Sequence, residues 1–160
     1  MDCMIESVIR TTRLRGETMK TLIIHHLESM WGASYKKIGG ISYADLVEKF
    51  AEHLESESYD RVILTRFEGD TLEEEHWPIA EHISEVHEYA YGWSSEDLAE
   101  YPDKFCEGGN HSEAVLIEDW MRLSGEVFIS GAFDGECIED LEIALEYCGT
   151  KFQRINSLII

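Results

Sequence analysis

One stretch of this chain sets reactive groups in an order that chemistry can use. Val127-Phe128-Ile129-Ser130 is an apolar run, Gly131-Ala132-Phe133-Asp134-Gly135 is a glycine-bearing turn, and Glu136-Cys137 opens an amphipathic segment. The order reads strand, turn, helix start. A thiol in the first turn of a helix lies near exposed backbone N–H groups and the positive end of the helix dipole, which favour the thiolate. Cys137 is therefore a candidate nucleophile. The backbone from Gly131 to Gly135 is a candidate source of oxyanion donors. The plainer alternative is that Cys137 is the first apolar residue of a buried stripe, because free cysteine packs as a small hydrophobe. The same turn resembles a phosphate cradle, but it lacks a P-loop lysine, and Asp134 and Glu136 would repel an anion.

The histidines are the candidate bases for such a thiol. His25 and His26 close the first apolar run, and Glu28 follows two residues later. His26 is the candidate base or orienting group, since an imidazole within hydrogen-bond reach activates a thiol. Adjacent strand residues point to opposite faces, so only one of the two histidines is expected to face a given site. Glu73-Glu74-Glu75-His76-Trp77 with His82 and His87 invites a metal reading, but no pair of these histidines has the i, i+4 spacing that places two ligands on one helix face. No cofactor is expected. Tyr89, Tyr91, Trp93 and Tyr101 form an aromatic stretch, and Tyr91 and Trp93 are candidates for one wall of a ligand pocket.

The elements that must hold these residues are five short runs rich in β-branched or aromatic residues: 21–26, 61–66, 86–91, 126–130 and 153–159. Runs of this kind read as strands, and 86–91 is open to a second reading as the continuation of a helix over 79–84. The spacing between them leaves room for crossover connections. The fold class expected is α/β, a three-layer Rossmann-like open sheet, mostly parallel, with about five strands and helices on both faces. Such sheets bind ligands outside the carboxyl ends of their strands. After a loop over 31–40, Ser42 is a helix N-cap and Leu46, Val47, Phe50, Ala51 and Leu54 form an apolar stripe. Pro78 interrupts the second connection, leaving a short helix over 79–84. Asn110 to Glu113 fits a capping box for a helix ending near Leu123 and stopped by Gly125. Cys137, Ile138, Leu141, Ala144, Leu145 and Cys148 mark a last helix, with Glu136, Glu139, Asp140, Glu142 and Glu146 on its outer side and Gly149 beyond its end.

The chain from Thr21 to Ile159 resembles the isochorismatase-like cysteine hydrolases. The segment Gly131 to Cys137 carries the closest likeness. Leu22 to Trp31 is similar to the strand that ends in the family's Asp-x-Gln motif, and Val62 to Arg66 to the strand that ends in Thr-Arg. The resemblance implies a parallel sheet flanked by helices and a Cys, Lys and Asp constellation. Cys137 then takes the nucleophile's place, and Lys104 falls where the lysine would be. The sequence departs from the pattern at His26, which stands for the aspartate, at Glu28, which stands for the glutamine, and at Phe67, where an acidic residue often follows Thr-Arg.

The 160 residues fit one domain, expected over 19–160, with 1–18 as an extension and Met19 as the native start. Gly16-Glu17 is what a purine-rich ribosome-binding site would encode if translated, which points to a bacterial or phage message. Thirty-three acids against thirteen bases give a formal net charge of −20. That charge argues against nucleic-acid binding, since affinity for phosphate comes from Lys and Arg. No apolar run approaches the roughly 18 residues needed to cross a bilayer. Four cysteines without a Cys-x-x-Cys pair suggest reduced thiols in the cytoplasm. The expected function is cysteine-dependent hydrolysis of a small molecule bound at the strand carboxyl ends. The alternatives are an acidic binding protein that engages a basic protein partner, and a homo-oligomer joined through an edge strand.

Overall fold

The computed structural model describes residues 17–67, 78–89 and 119–160. Five strands lie within them: β1 (Lys20–His25), β2 (Arg61–Phe67), β3 (Glu85–Tyr89), β4 (Glu126–Gly131) and β5 (Gln153–Ile159). They form one sheet in the order β3-β2-β1-β4-β5, and every neighbouring pair is parallel. The three-layer α/β architecture expected from the run pattern is the one observed. β1 is central because Leu22-Ile23-Ile24 is apolar without interruption, so it can be covered on both faces. All three side chains are fully buried.

Two helices cover the two faces. Helix α1 (Tyr43–Ser56) begins where Ser42 Oγ accepts the Asp45 N–H at 3.1 Å. Its buried residues are the anticipated stripe, Leu46, Val47, Phe50, Ala51 and Leu54. They pack with Leu22, Ile24, Val62 and Leu64. Helix α2 (Cys137–Tyr147) buries Ile138, Leu141, Ala144 and Leu145 against Ile23, Ile63, Val127 and Ile129 on the opposite face. Each such side chain removed from water contributes about 1.5–3 kcal/mol. The alternation of inward residues along β1 thus assigns Leu22 and Ile24 to α1, and Ile23 to α2.

Three local expectations are corrected. The stretch before α1 is not a loop: it is a continuous irregular helix, 3-10 over Ser29–Trp31, α over Gly32–Ser34 and π over Tyr35–Gly39, ended by Gly40 in a left-handed conformation. Its glycines made it look like a loop, yet Tyr35 anchors it by complete burial. Asp140 does not lie on the outer side of α2. It is buried, because it falls one turn after Cys137 and one turn before Ala144, on the inner stripe. In place of the end of a helix near Leu123, the described residues show a 3-10 turn, Asp119–Met121. Thr150 Oγ1 ties this turn down by donating to the Met121 carbonyl at 2.6 Å and accepting the Leu123 N–H at 2.9 Å.

The short helix expected over 79–84 is a 3-10 turn, Ala80–His82, and the third run is a strand. The edge strand β3 carries polar side chains that other groups engage. Glu85 receives a two-point hydrogen bond from the Arg61 guanidinium, and the His87 ring stacks on Trp120 at 4.7 Å. Among the described residues no helix is long and apolar enough to cross a membrane.

Candidate functional site at the carboxyl ends of β1 and β4

β1 is followed in sequence by its neighbour on one side, β2, while β4 joins it on the other side. The strand order therefore reverses between β1 and β4, and the crevice outside their carboxyl ends is where a sheet of this type takes its ligand. His25 and Gly131 are register partners at that point. Gly131 has φ +114, and a Cβ built on it would overlap the His25 carbonyl oxygen and lie 2.7 Å from its carbonyl carbon. The next residue continues the embrace, since the Ala132 N–H donates to the His25 carbonyl at 2.9 Å. Only glycine allows the two strand ends to come this close.

His25 lies on the same face as Ile23, and this is the face that α2 covers. Its ring is completely buried, with Nδ1 2.5 Å from Thr65 Oγ1. Burial pushes its pKa well below the ordinary histidine value. The neighbouring His26 adds to the depression, and a hydrogen bond to the backbone of Cys137 opposes it. His25 is thus the imidazole that reaches the cysteine's own backbone. His26 leaves the strand with φ +60, a left-handed conformation that is uncommon for a residue other than glycine. That turn breaks the strand's alternation. The two rings meet edge to face at 4.3 Å instead of pointing to opposite faces. Burial lowers the His26 pKa to about 3, so both imidazoles are neutral at pH 7.

The exit of β1 is held by aromatic side chains that the sequence did not single out. The Tyr35 hydroxyl donates to the His26 carbonyl and accepts the Glu28 N–H at 3.0 Å. Its ring lies 5.6 Å from Phe133, which belongs to the turn after β4. Glu28 is completely buried. One carboxylate oxygen accepts the Trp31 indole N–H at 2.8 Å, and the other lies 3.6 Å from His26 Nδ1. Trp31 in turn meets the His26 ring at 5.9 Å and Phe133 at 6.2 Å, both edge to face. Aromatics scattered through a glycine-rich stretch gave no periodic signal, which is why sequence reasoning passed over Trp31 and Tyr35.

Cys137 is the first residue of α2 and is half-buried, so its thiol is neither sealed in the core nor freely solvated. The turn before it is largely committed to the protein itself. The Asp134 N–H donates to the Ile160 carbonyl at 2.6 Å, and the Glu136 and Ile138 N–H groups both donate to the Phe133 carbonyl at 3.1 Å. Asp134 is exposed, and its carboxylate pairs with Arg154 at 2.5 Å. Gly135 is exposed, with φ +73 and open space around it.

The fold therefore brings together His25, His26, Glu28, Gly131 and the helix start at Cys137, while Asp134 and Gly135 form the outer surface of the turn. Lys104, Tyr91 and Trp93 lie outside the described residues, as do the Glu73 to Trp77 stretch and the capping box over 110–113. Among the described residues no group of three or more His, Cys, Asp and Glu is arranged to hold a metal ion.

Comparison with family models, with curated proteins and with solved structures finds no match to this chain.

Proposed function

We propose that this chain binds a small molecule at the carboxyl ends of β1 and β4 and hydrolyses it through the Cys137 thiol. The observation that carries this reading is the position of Cys137. It opens a helix at the point where strand order reverses, and the ring of His25 reaches its backbone. Both imidazoles are neutral and can accept a proton, but their depressed pKa makes them weak bases, so the proposed transfer requires that a bound substrate raise it. In the proposed cycle an imidazole takes the thiol proton as sulfur attacks a carbonyl carbon. The bond to the leaving group then breaks, and the leaving group takes that proton from the imidazolium. Water cleaves the resulting thioester, which restores the thiol. His26 and His25 are the candidate bases, and Lys104 keeps the role that the resemblance to cysteine hydrolases implies.

A second reading is favoured by the closure of the site. His25, His26 and Glu28 are at most 1% exposed. A chain with a net charge of −20 and a polar cluster that substrate does not reach fits a non-catalytic binding protein for a basic partner. The two readings separate in one experiment. Wild-type protein, C137A and C148A are incubated with a panel of chromogenic esters and amides, and intact mass is followed for an acyl adduct. Cys148 is the internal reference, a half-buried thiol whose pKa burial pushes up. Turnover or an adduct that C137A abolishes and C148A retains supports hydrolysis. If no substrate gives either signal and iodoacetamide labels Cys137 no faster than Cys148, the thiol reading fails and the binding reading stands.

A further inference from the structure

The buried carboxylate of Glu28 faces two groups of different hydrogen-bonding character. The Trp31 indole N–H can only donate, and it holds Oε2 at 2.8 Å. The His26 imidazole presents Nδ1 to Oε1 at 3.6 Å, within direct electrostatic reach but longer than a formed hydrogen bond. Such contacts are often long in a site without substrate and tighten when it is filled. A carboxylate oxygen facing Nδ1 favours the tautomer that carries its proton there. In that tautomer Nε2 carries no proton, the state a general base requires.

We infer that Glu28, held in place by Trp31, is a positioning residue that fixes the Nδ1–H tautomer of His26. The inference deepens the hydrolase reading and rests on it for its catalytic consequence. The structural part stands on the geometry of three side chains. Glu28 is completely buried and His26 nearly so, and little water competes for either group. The left-handed backbone of His26 also acquires a purpose. It turns the ring from the strand's alternation toward the carboxylate two residues on.

The chemistry of an amide supplies a sharp test. In E28Q the side chain has one acceptor oxygen and one donor NH2 group. Trp31 can only donate, so it takes the oxygen, and the NH2 is left facing His26. Nδ1 must then accept, and the proton moves to Nε2. In E28Q/W31F the indole donor is gone, the amide is free to turn its oxygen toward His26, and the original tautomer returns. Phenylalanine at 31 keeps an aromatic ring against His26 and Phe133.

The measurement is long-range 1H–15N correlation NMR of the imidazoles in the full chain, with His26 assigned by the signals lost in H26Q. The expected result is Nδ1–H in wild type, Nε2–H in E28Q and Nδ1–H again in the double variant. The E28Q reversal is expected to lower Cys137-dependent turnover by about 10²–10⁴, the contribution of a positioned general base. Wild type carrying Nε2–H overturns the inference outright, and this arm holds even where E28Q fails to fold. A folded E28Q that keeps the wild-type tautomer overturns it equally. Reversal and rescue of the tautomer with no change at Cys137 leave the positioning role standing and sink the hydrolase reading instead.

Discussion

Replacing Gly131 with alanine tests whether the meeting of β1 and β4 is as tight as described. Two costs add. A residue with a Cβ held at φ +114 stores about 1–3 kcal/mol of backbone strain. The added methyl also overlaps the His25 carbonyl, which belongs to backbone and cannot swing aside as a flexible side chain would. The strands must part, which weakens the Ala132 N–H bond to the His25 carbonyl at 2.9 Å and the Ile160 N–H bond to the Gly131 carbonyl at 3.0 Å. Each such bond contributes about 0.5–1.5 kcal/mol. The total is about 2–6 kcal/mol, a large share of the 5–15 kcal/mol that holds an ordinary domain together. Gly135→Ala is the control. Its φ is +73, but nothing lies within 4 Å of the new Cβ, so it incurs only the left-handed penalty of about 1–2 kcal/mol. Urea unfolding followed by circular dichroism gives both values, with the slope checked for two-state behaviour. If G131A proves no less stable than G135A, the close approach of the two strand ends is refuted.

Two further outcomes follow from the fold. Phe50→Ala removes a completely buried ring between α1 and the sheet and is expected to cost about 3–5 kcal/mol, read as a shift of the urea midpoint at unchanged slope. His25 and His26 are held neutral, with His26 at about 3 against an ordinary value of 6.5, so the unfolded chain binds more protons than the folded one in mild acid. Stability is therefore full above pH 6.5 and falls as the pH drops toward 3, with a slope that approaches about 2.7 kcal/mol per pH unit where both unfolded histidines are charged. Thermal unfolding between pH 7 and pH 5 measures this, and a H26N variant whose melting temperature depends on pH as steeply as wild type would contradict the assignment.

Much of the architecture was legible because it follows from periodicity. The apolar run at Leu22-Ile23-Ile24 has to be covered on both sides, and the stripe from Leu46 to Leu54 can only face a sheet. Cys137 was legible as a helix start because Gly131 and Gly135 bracket a turn between an apolar run and an amphipathic one. What escaped was set by single backbone angles and by packing at a distance. Nothing in the residue type of His26 announces a left-handed conformation, so the strand rule separated two rings that in fact touch. Charge alone places Asp140 on the solvent side, although its place one turn from both Cys137 and Ala144 puts it on the inner stripe. Tyr35 and Trp31 sit among Gly32, Gly39 and Gly40, where no repeat betrays an anchor. Their importance comes from contacts with Glu28, His26 and Phe133, which no local pattern encodes.

The last strand joins β4 out of step. Phe128 and Ile129 pair with Gln153 and Arg154, but Gly131 pairs with Ile159, so β5 carries three extra residues before it rejoins. The rejoined segment sends the N–H of Ile160 to Gly131 and receives the N–H of Asp134. The turn in front of Cys137 is thus pinned by residue 160. A change that displaces the backbone at residue 160 is therefore transmitted to the floor of the crevice.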